Sequence, residues 1–199
     1  MIGLRRATLV AGLVFAGGQL AVAEDARVRV RGAILTLQGT SMMVKTAGGV
    51  GVMIEVPEAV PVAATKAFAL ADIKPGMVLG VTTLQRADGS MVAVEVHPIS
   101  ATAPQGQSPW DLQPNSTMNN GTVEATAGAT NGQELTLNYK TGTAKIFLLP
   151  QTAMAQATPG TRADLKTGET VVVFGSKNEA GKITALRVQV SKDGVNPAQ

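Results

Sequence analysis

Apolar and polar residues alternate with a period of two along two early stretches. Val50, Val52, Ile54 and Val56 fall on one face of an extended chain, with Gly51, Met53 and Glu55 opposite. Arg27-Val28-Arg29-Val30-Arg31 alternates in the same way, placing three arginines on one face and two valines on the other. That arginine face reads either as a solvated strand surface or as an anion-binding stripe. Ile34, Leu35 and Leu37 continue the strand past a bend at Gly32, and Met42-Met43-Val44 begins another. Residues 77–84 and 91–96 form a hairpin around Asp88-Gly89, a strong turn signal. Pro57 and Pro61 impose an irregular connection, and the composition of residues 63–71 predicts a helical turn or two. Later strands are expected at 121–127, 135–139, 144–149, 171–174 and 183–190. The pattern predicts an all-β protein with five strands in each half.

The halves are copies. Ala71-Asp72-Ile73-Lys74-Pro75-Gly76 returns as Ala163-Asp164-Leu165-Lys166-Thr167-Gly168, a spacing of 92 (164 − 72). The spacing holds through Gly89 and Gly181, Ala93 and Ala185, Val96 and Val188. The aspartate suits a turn that accepts backbone N–H groups, as at a helix start. The following Ile73 or Leu165 suits an inward anchor, and the glycine a positive φ. The cassette is turn chemistry, so its repetition speaks of architecture. The implied organisation is a first β-domain at 24–100, a proline-rich linker at 101–117, a second β-domain at 118–192 and a flexible tail at 193–199. Trp110 stands out in that linker, since an indole is rarely left wholly in water; it is expected to anchor the segment on a domain or in the cleft.

Composition sharpens the picture in three ways. Residues 1–23 carry Arg5 and Arg6, a short apolar run and Ala21-Val22-Ala23, the pattern of an export signal. Its apolar run is short of the roughly 20 residues that span a membrane, and no later stretch predicts a transmembrane segment. The periplasm is the expected location. The formal charge of +3 includes those two arginines, so the remainder carries 15 basic against 14 acidic residues and is nearly neutral. A neutral chain with 3% aromatic residues lacks the basic, aromatic groove that single-stranded nucleic acid needs, so no nucleic-acid partner is expected. Cysteine is absent, which excludes thiol catalysis, disulfides and thiolate metal sites.

Five short strands with a helical segment between the third and fourth are compatible with a partly open OB-type barrel. On the two cassettes and their Gly-x-x-x-Ala hairpins, the chain resembles a family of small bacterial OB-like domains of unknown function that exported proteins carry singly or in tandem. Glu95-Val96-His97 and the segment Pro109-Trp110-Asp111-Leu112-Gln113-Pro114-Asn115-Ser116-Thr117-Met118 are similar to those of uncharacterised two-domain proteobacterial periplasmic proteins. Some of these carry a metal-transporter label. The resemblance implies two tandem small OB-like five-stranded barrels and assigns no activity.

The chemistry-bearing residues are few. His97 is the only histidine, with Glu95 and Asp111 its nearest acids, and no Ser-His-Asp spacing or phosphate loop occurs. The expected protein is not an enzyme. Glu95 and His97 lie about 7 Å apart on one strand face and form the candidate metal pair, needing a third ligand from elsewhere. A soft ion such as copper would favour thioether and imidazole ligands, but Met91 and His97 stand about 20 Å apart along a straight strand at about 3.3 Å per residue. The second copy has Arg187 and Gln189 where the first has Glu95 and His97, so the scaffold does not require the pair. The reading is a non-enzymatic binding or scaffolding protein for an unknown periplasmic protein or small ligand. Its candidate ligand-binding residues are Glu95, His97, Trp110 and Asp111, it has no resident cofactor, and its alternative is a periplasmic transition-metal accessory protein.

Overall fold

The computed structural model describes residues 25–129 and 132–198; the expected signal segment at 1–23 lies outside the described residues. The chain is all-β. Thirteen strands join one large mixed sheet. They are β1 (Ala26–Gln38), β2 (Ser41–Thr46), β3 (Gly51–Glu55), β4 (Val62–Ala67), β5 (Val78–Gln85), β6 (Met91–Pro98), β7 (Gly106–Pro109), β8 (Thr117–Ala129), β9 (Gly132–Asn138), β10 (Thr143–Leu148), β11 (Ala153–Pro159), β12 (Thr170–Lys177) and β13 (Ile183–Val190). Among the described residues no helix is long and apolar enough to cross a membrane.

The pairings form two closed circuits. In the terminal circuit β1 pairs with β2, β2 with β3, β3 with β13 in parallel, β13 with β12, and β12 with β1 again. In the central circuit the corresponding order is β8, β9, β10, β6, β5 and back to β8, with β10 and β6 parallel. The chain leaves the terminal circuit after β3, passes through β4 and builds the whole central circuit. It then returns through β11 to finish the terminal circuit with β12 and β13. Each circuit therefore takes its first three strands from one repeat and its closing hairpin from the other. Pairings of β1 with β12, β3 with β13, β4 with β11 and β13, β5 with β8, and β6 with β10 and β11 join residues 24–100 to residues 118–192.

The cores follow the circuits. One cluster joins Val30, Ile34, Met42, Val44, Ile54 and Val56 to Leu165, Val171, Val173, Ala185, Val188 and Val190. The other joins Phe68, Ile73, Leu79, Val81, Ala93 and Val96 to Val123, Leu135, Leu137, Tyr139, Ala144, Ile146 and Leu148. Fully burying a side chain of this size contributes about 1.5–3 kcal/mol. About half of each cluster comes from the other repeat, so each core is built jointly by the two repeats.

The two halves meet at an antiparallel pair. β4 and β11 pair with Thr65 opposite Ala157, its own counterpart in the repeat (157 − 65 is again 92). A residue lying opposite its own copy marks a local two-fold axis, and the strand order reads the same outward from β4 and β11 on both sides. This pairing also corrects the helical expectation at residues 63–71. Residues 62–67 are a strand, because β11 and β13 offer ladder bonds on both sides, and only a single 3₁₀ turn remains at Leu70–Asp72.

The cassettes behave as turns in both copies. Asp72 Oδ2 accepts from the Ala69 N–H at 2.9 Å and Asp164 Oδ2 from the Thr161 N–H at 2.8 Å. The bond thus reaches back three residues, where a helix-start reading places it one turn forward. Ile73 and Leu165 are buried anchors, and Gly76 and Gly168 take φ values of 87° and 92°. In the expected tail, Lys192 and Val195 exchange backbone bonds and Ala198 is buried. Within the expected linker, β7 pairs with β8.

Candidate functional site

The arginine face of β1 stands on the outside of the terminal circuit, and the register places its neighbours. Arg29 lies opposite Phe174 on β12, and Phe174 opposite Arg187 on β13. The Arg187 guanidinium sits 4.0 Å from the centre of the Phe174 ring, and that of Arg29 sits 5.9 Å from it on the β1 side. Trp110 then covers Arg29, with its ring centre 3.7 Å from the guanidinium carbon. Trp110, Arg29, Phe174 and Arg187 form a row of alternating aromatic and cationic groups. Burial lowers the pKa of both arginines, though each stays charged at any ordinary pH.

Asp111 completes the arrangement. Its Oδ1 accepts from Arg29 Nη1 at 2.7 Å and from Arg31 Nη2 at 3.0 Å. Arg27, the third arginine of the stripe, makes no ion pair among the described residues. It lines a groove of about 300 Å³ with Arg29, Trp110, Asp111, Phe174 and Leu186. Leu186 is at a bulge in the β12–β13 ladder, which turns it outward and leaves it 43% exposed. The groove therefore offers a cation, an aromatic ring and an apolar edge.

The loop that carries Trp110 is closed on itself. The Trp110 N–H donates to Ser116 O at 2.8 Å, and Ser116 Oγ donates to Trp110 O at 2.9 Å and Gln113 O at 2.8 Å. Asn115 takes a φ of 64° at the tip. The loop touches the arginine stripe through the Trp110 ring and the Asp111 carboxylate. A partly exposed ion pair and a partly exposed cation–π contact each contribute on the order of 1 kcal/mol. Against them, the Trp110 indole N–H is buried without a hydrogen-bond partner.

Glu95 and His97 occupy a different place, on the outward face of β6 in the central circuit. Among the described residues no third histidine, aspartate or glutamate joins them in a group that could hold a metal ion. His97 is 6% exposed, and its Nδ1 is buried without a hydrogen-bond partner. Its ring lies over Gly80, where an added Cβ would come within 2.6 Å of Nε2 and 3.2 Å of Asn120 Oδ1. Burial, and then the charge of Arg187, lower its pKa to about 4, so it is neutral over most of the pH range. The neutral imidazole is the form that ligates a metal, and here it is sequestered beside the positive charge of Arg187.

Of the four residues expected to bind a ligand, Trp110 and Asp111 thus come together in the groove, while Glu95 and His97 lie in the central circuit. Sequence reasoning missed Phe174, Leu186 and Arg187, which belong to the other repeat. The signal available was the arginine alternation in β1, which required a partner surface that only the exchanged hairpin supplies. No protein-family model, curated protein or solved structure matches this chain.

Proposed function

We propose that this is an exported periplasmic binding protein without enzymatic activity, built on two OB-like five-stranded barrels that share their strands. Its ligand is an anion with an apolar portion, held in the groove between β1, the β12–β13 hairpin and the Trp110 loop. One observation carries this reading: among the described residues Arg27 has no ion pair, and it lines a groove floored by Phe174 and edged by the exposed Leu186, while its neighbours Arg29 and Arg31 share Asp111. Cationic and aromatic groups on a rigid sheet face recognise carboxylate or sulfonate with a ring or aliphatic chain attached.

A fluorescent aromatic sulfonate, 1-anilinonaphthalene-8-sulfonate, is a direct probe. Saturable binding that weakens several-fold in Arg27→Ala and in Leu186→Ser supports the groove. Binding indifferent to both substitutions, or no saturable binding, refutes it.

A further inference from the structure

We infer that the Trp110–Asp111 loop is a built-in occupant of the arginine stripe, and that the stripe takes an acidic peptide bearing an aromatic residue in its place. The inference rests on the groove reading above and names the ligand. The loop presents an aromatic ring followed directly by a carboxylate, and both engage the stripe: the ring on Arg29, the carboxylate on Arg29 and Arg31. It is an incomplete match. Among the described residues Arg27 is left without an ion-pair partner, and the buried indole N–H has no hydrogen-bond partner.

A peptide in trans with two carboxylates flanking a ring can pair with all three arginines, and releasing the loop returns the indole N–H to water. The loop can lift as a unit, since Ser116 closes it through its own hydrogen bonds. Charge complementarity selects the occupant. Arg27, Arg29 and Arg31 lie along one strand face where Asp111 engages only the last two, and the exposed Leu186 beside them suits an apolar side chain.

Trp110 is the only tryptophan, so its emission reports the loop. The test is titration of the full chain with a blocked Asp-Asp-Phe-Asp-Asp peptide, itself free of tryptophan. Emission is read beside the anisotropy of a dye-labelled copy of the peptide. The expected result is a saturable red shift that tracks the anisotropy. Asp111→Asn should tighten binding about tenfold by removing the competing carboxylate, and Arg27→Ala should weaken it. Three outcomes overturn the proposal: equal affinity for wild type and Asp111→Asn, anisotropy that saturates while the emission stays fixed, or no binding by either protein. An emission change reproduced by inorganic phosphate alone overturns it too, as that is charge screening. If the sulfonate probe still binds in an Arg27-dependent manner, the groove stands and only the peptide and its displaceable loop fall.

Discussion

The two circuits share their turns and strand order, and differ at two layers. Inside, Val30 of the terminal circuit corresponds to Asn119 of the central one: each lies opposite the matching valine of the closing hairpin, Val173 or Val81. Val30 sits in an apolar cluster. Asn119 is fully buried, and its Nδ2 donates to Val81 O at 3.0 Å, Thr83 Oγ1 at 2.8 Å and Thr117 O at 3.1 Å. Its Oδ1 accepts from the Gln107 amide at 2.8 Å and the Tyr139 hydroxyl at 3.0 Å. Outside, the row Arg29, Phe174, Arg187 corresponds to Met118, Thr82, Glu95. One scaffold thus carries an apolar core under a row of arginines and an aromatic ring, and a core with one buried amide network under a row that has neither and is buried at Met118 and Thr82. Positions that turn the chain are alike in both copies, and the chemistry lies where they differ.

The comparison depends on the exchange of halves, and the largest expected effect tests that exchange. A protease site inserted in the β6–β7 connection, near Thr102, cuts the chain between its two repeats. Each fragment then holds strands of both circuits. The nicked protein should elute as one species in size exclusion and separate only in denaturant. Sequential domains joined by that connection would separate at once, and separation in native buffer would break the comparison.

Swapping the inner residues is expected to cost less, but still several times RT. Asn119→Val copies the terminal circuit into the central one and leaves Tyr139 Oη, Gln107 and the Val81 carbonyl without their partner. Losing buried partners costs about 1–3 kcal/mol per group, so a loss of roughly 3 kcal/mol is expected in urea unfolding. Val30→Asn makes the reverse change and should destabilise by a similar amount, because nothing in that core can bond an amide. If Asn119→Val were neutral, the polar network would be a passive packing feature and the inner difference would lose its meaning.

Much of this fold was legible from spacing alone. Period-two runs marked strands, Asp88-Gly89 marked a hairpin, and the repeated Ile73 and Leu165 marked anchors, because each rests on local geometry that sequence writes directly. The exchange was not legible. A repeat gives the same local signals whether its closing hairpin returns to its own opening strands or to those of its copy. That choice is made at β4, where ladder bonds to β11 and β13 override a helix-forming composition. The site suffered for the same reason. Trp110 and Asp111 were visible as odd residues in a linker and the arginines as an alternation, but only the β12–β13 hairpin brings Phe174 and Leu186 beside them. Gly80 was visible merely as a glycine in a strand; the structure gives it a purpose, as room for the His97 ring.

The smallest of these expected effects concerns the second difference on the outer face, His97 against Gln189. Gln189 Nε2 donates to Thr65 Oγ1 at 3.3 Å, and Thr65 in turn donates to Val190 O at 2.8 Å. The residue that corresponds to Thr65 is Ala157, which has no hydroxyl, and His97 Nδ1 has no partner. The charge that acts on His97 is that of Arg187 on β13, and Glu95 stands two residues away on its own strand. Its folded pKa of about 4 lies below the ordinary 6.5. Between those values the unfolded chain binds a proton that the folded chain refuses, so stability falls as the pH falls through this window. The linkage amounts to on the order of 3 kcal/mol once pH 4 is reached, with little effect above pH 7. Asp88 and Asp164 have lowered pKa values and also lose stability in acid, which a comparison of two proteins removes. Urea unfolding at pH 7, 5.5 and 4 should show His97→Gln losing less stability than wild type across the window. Parallel slopes would mean that the imidazole reaches water in the folded protein, and that the central circuit is no drier at this face than its copy.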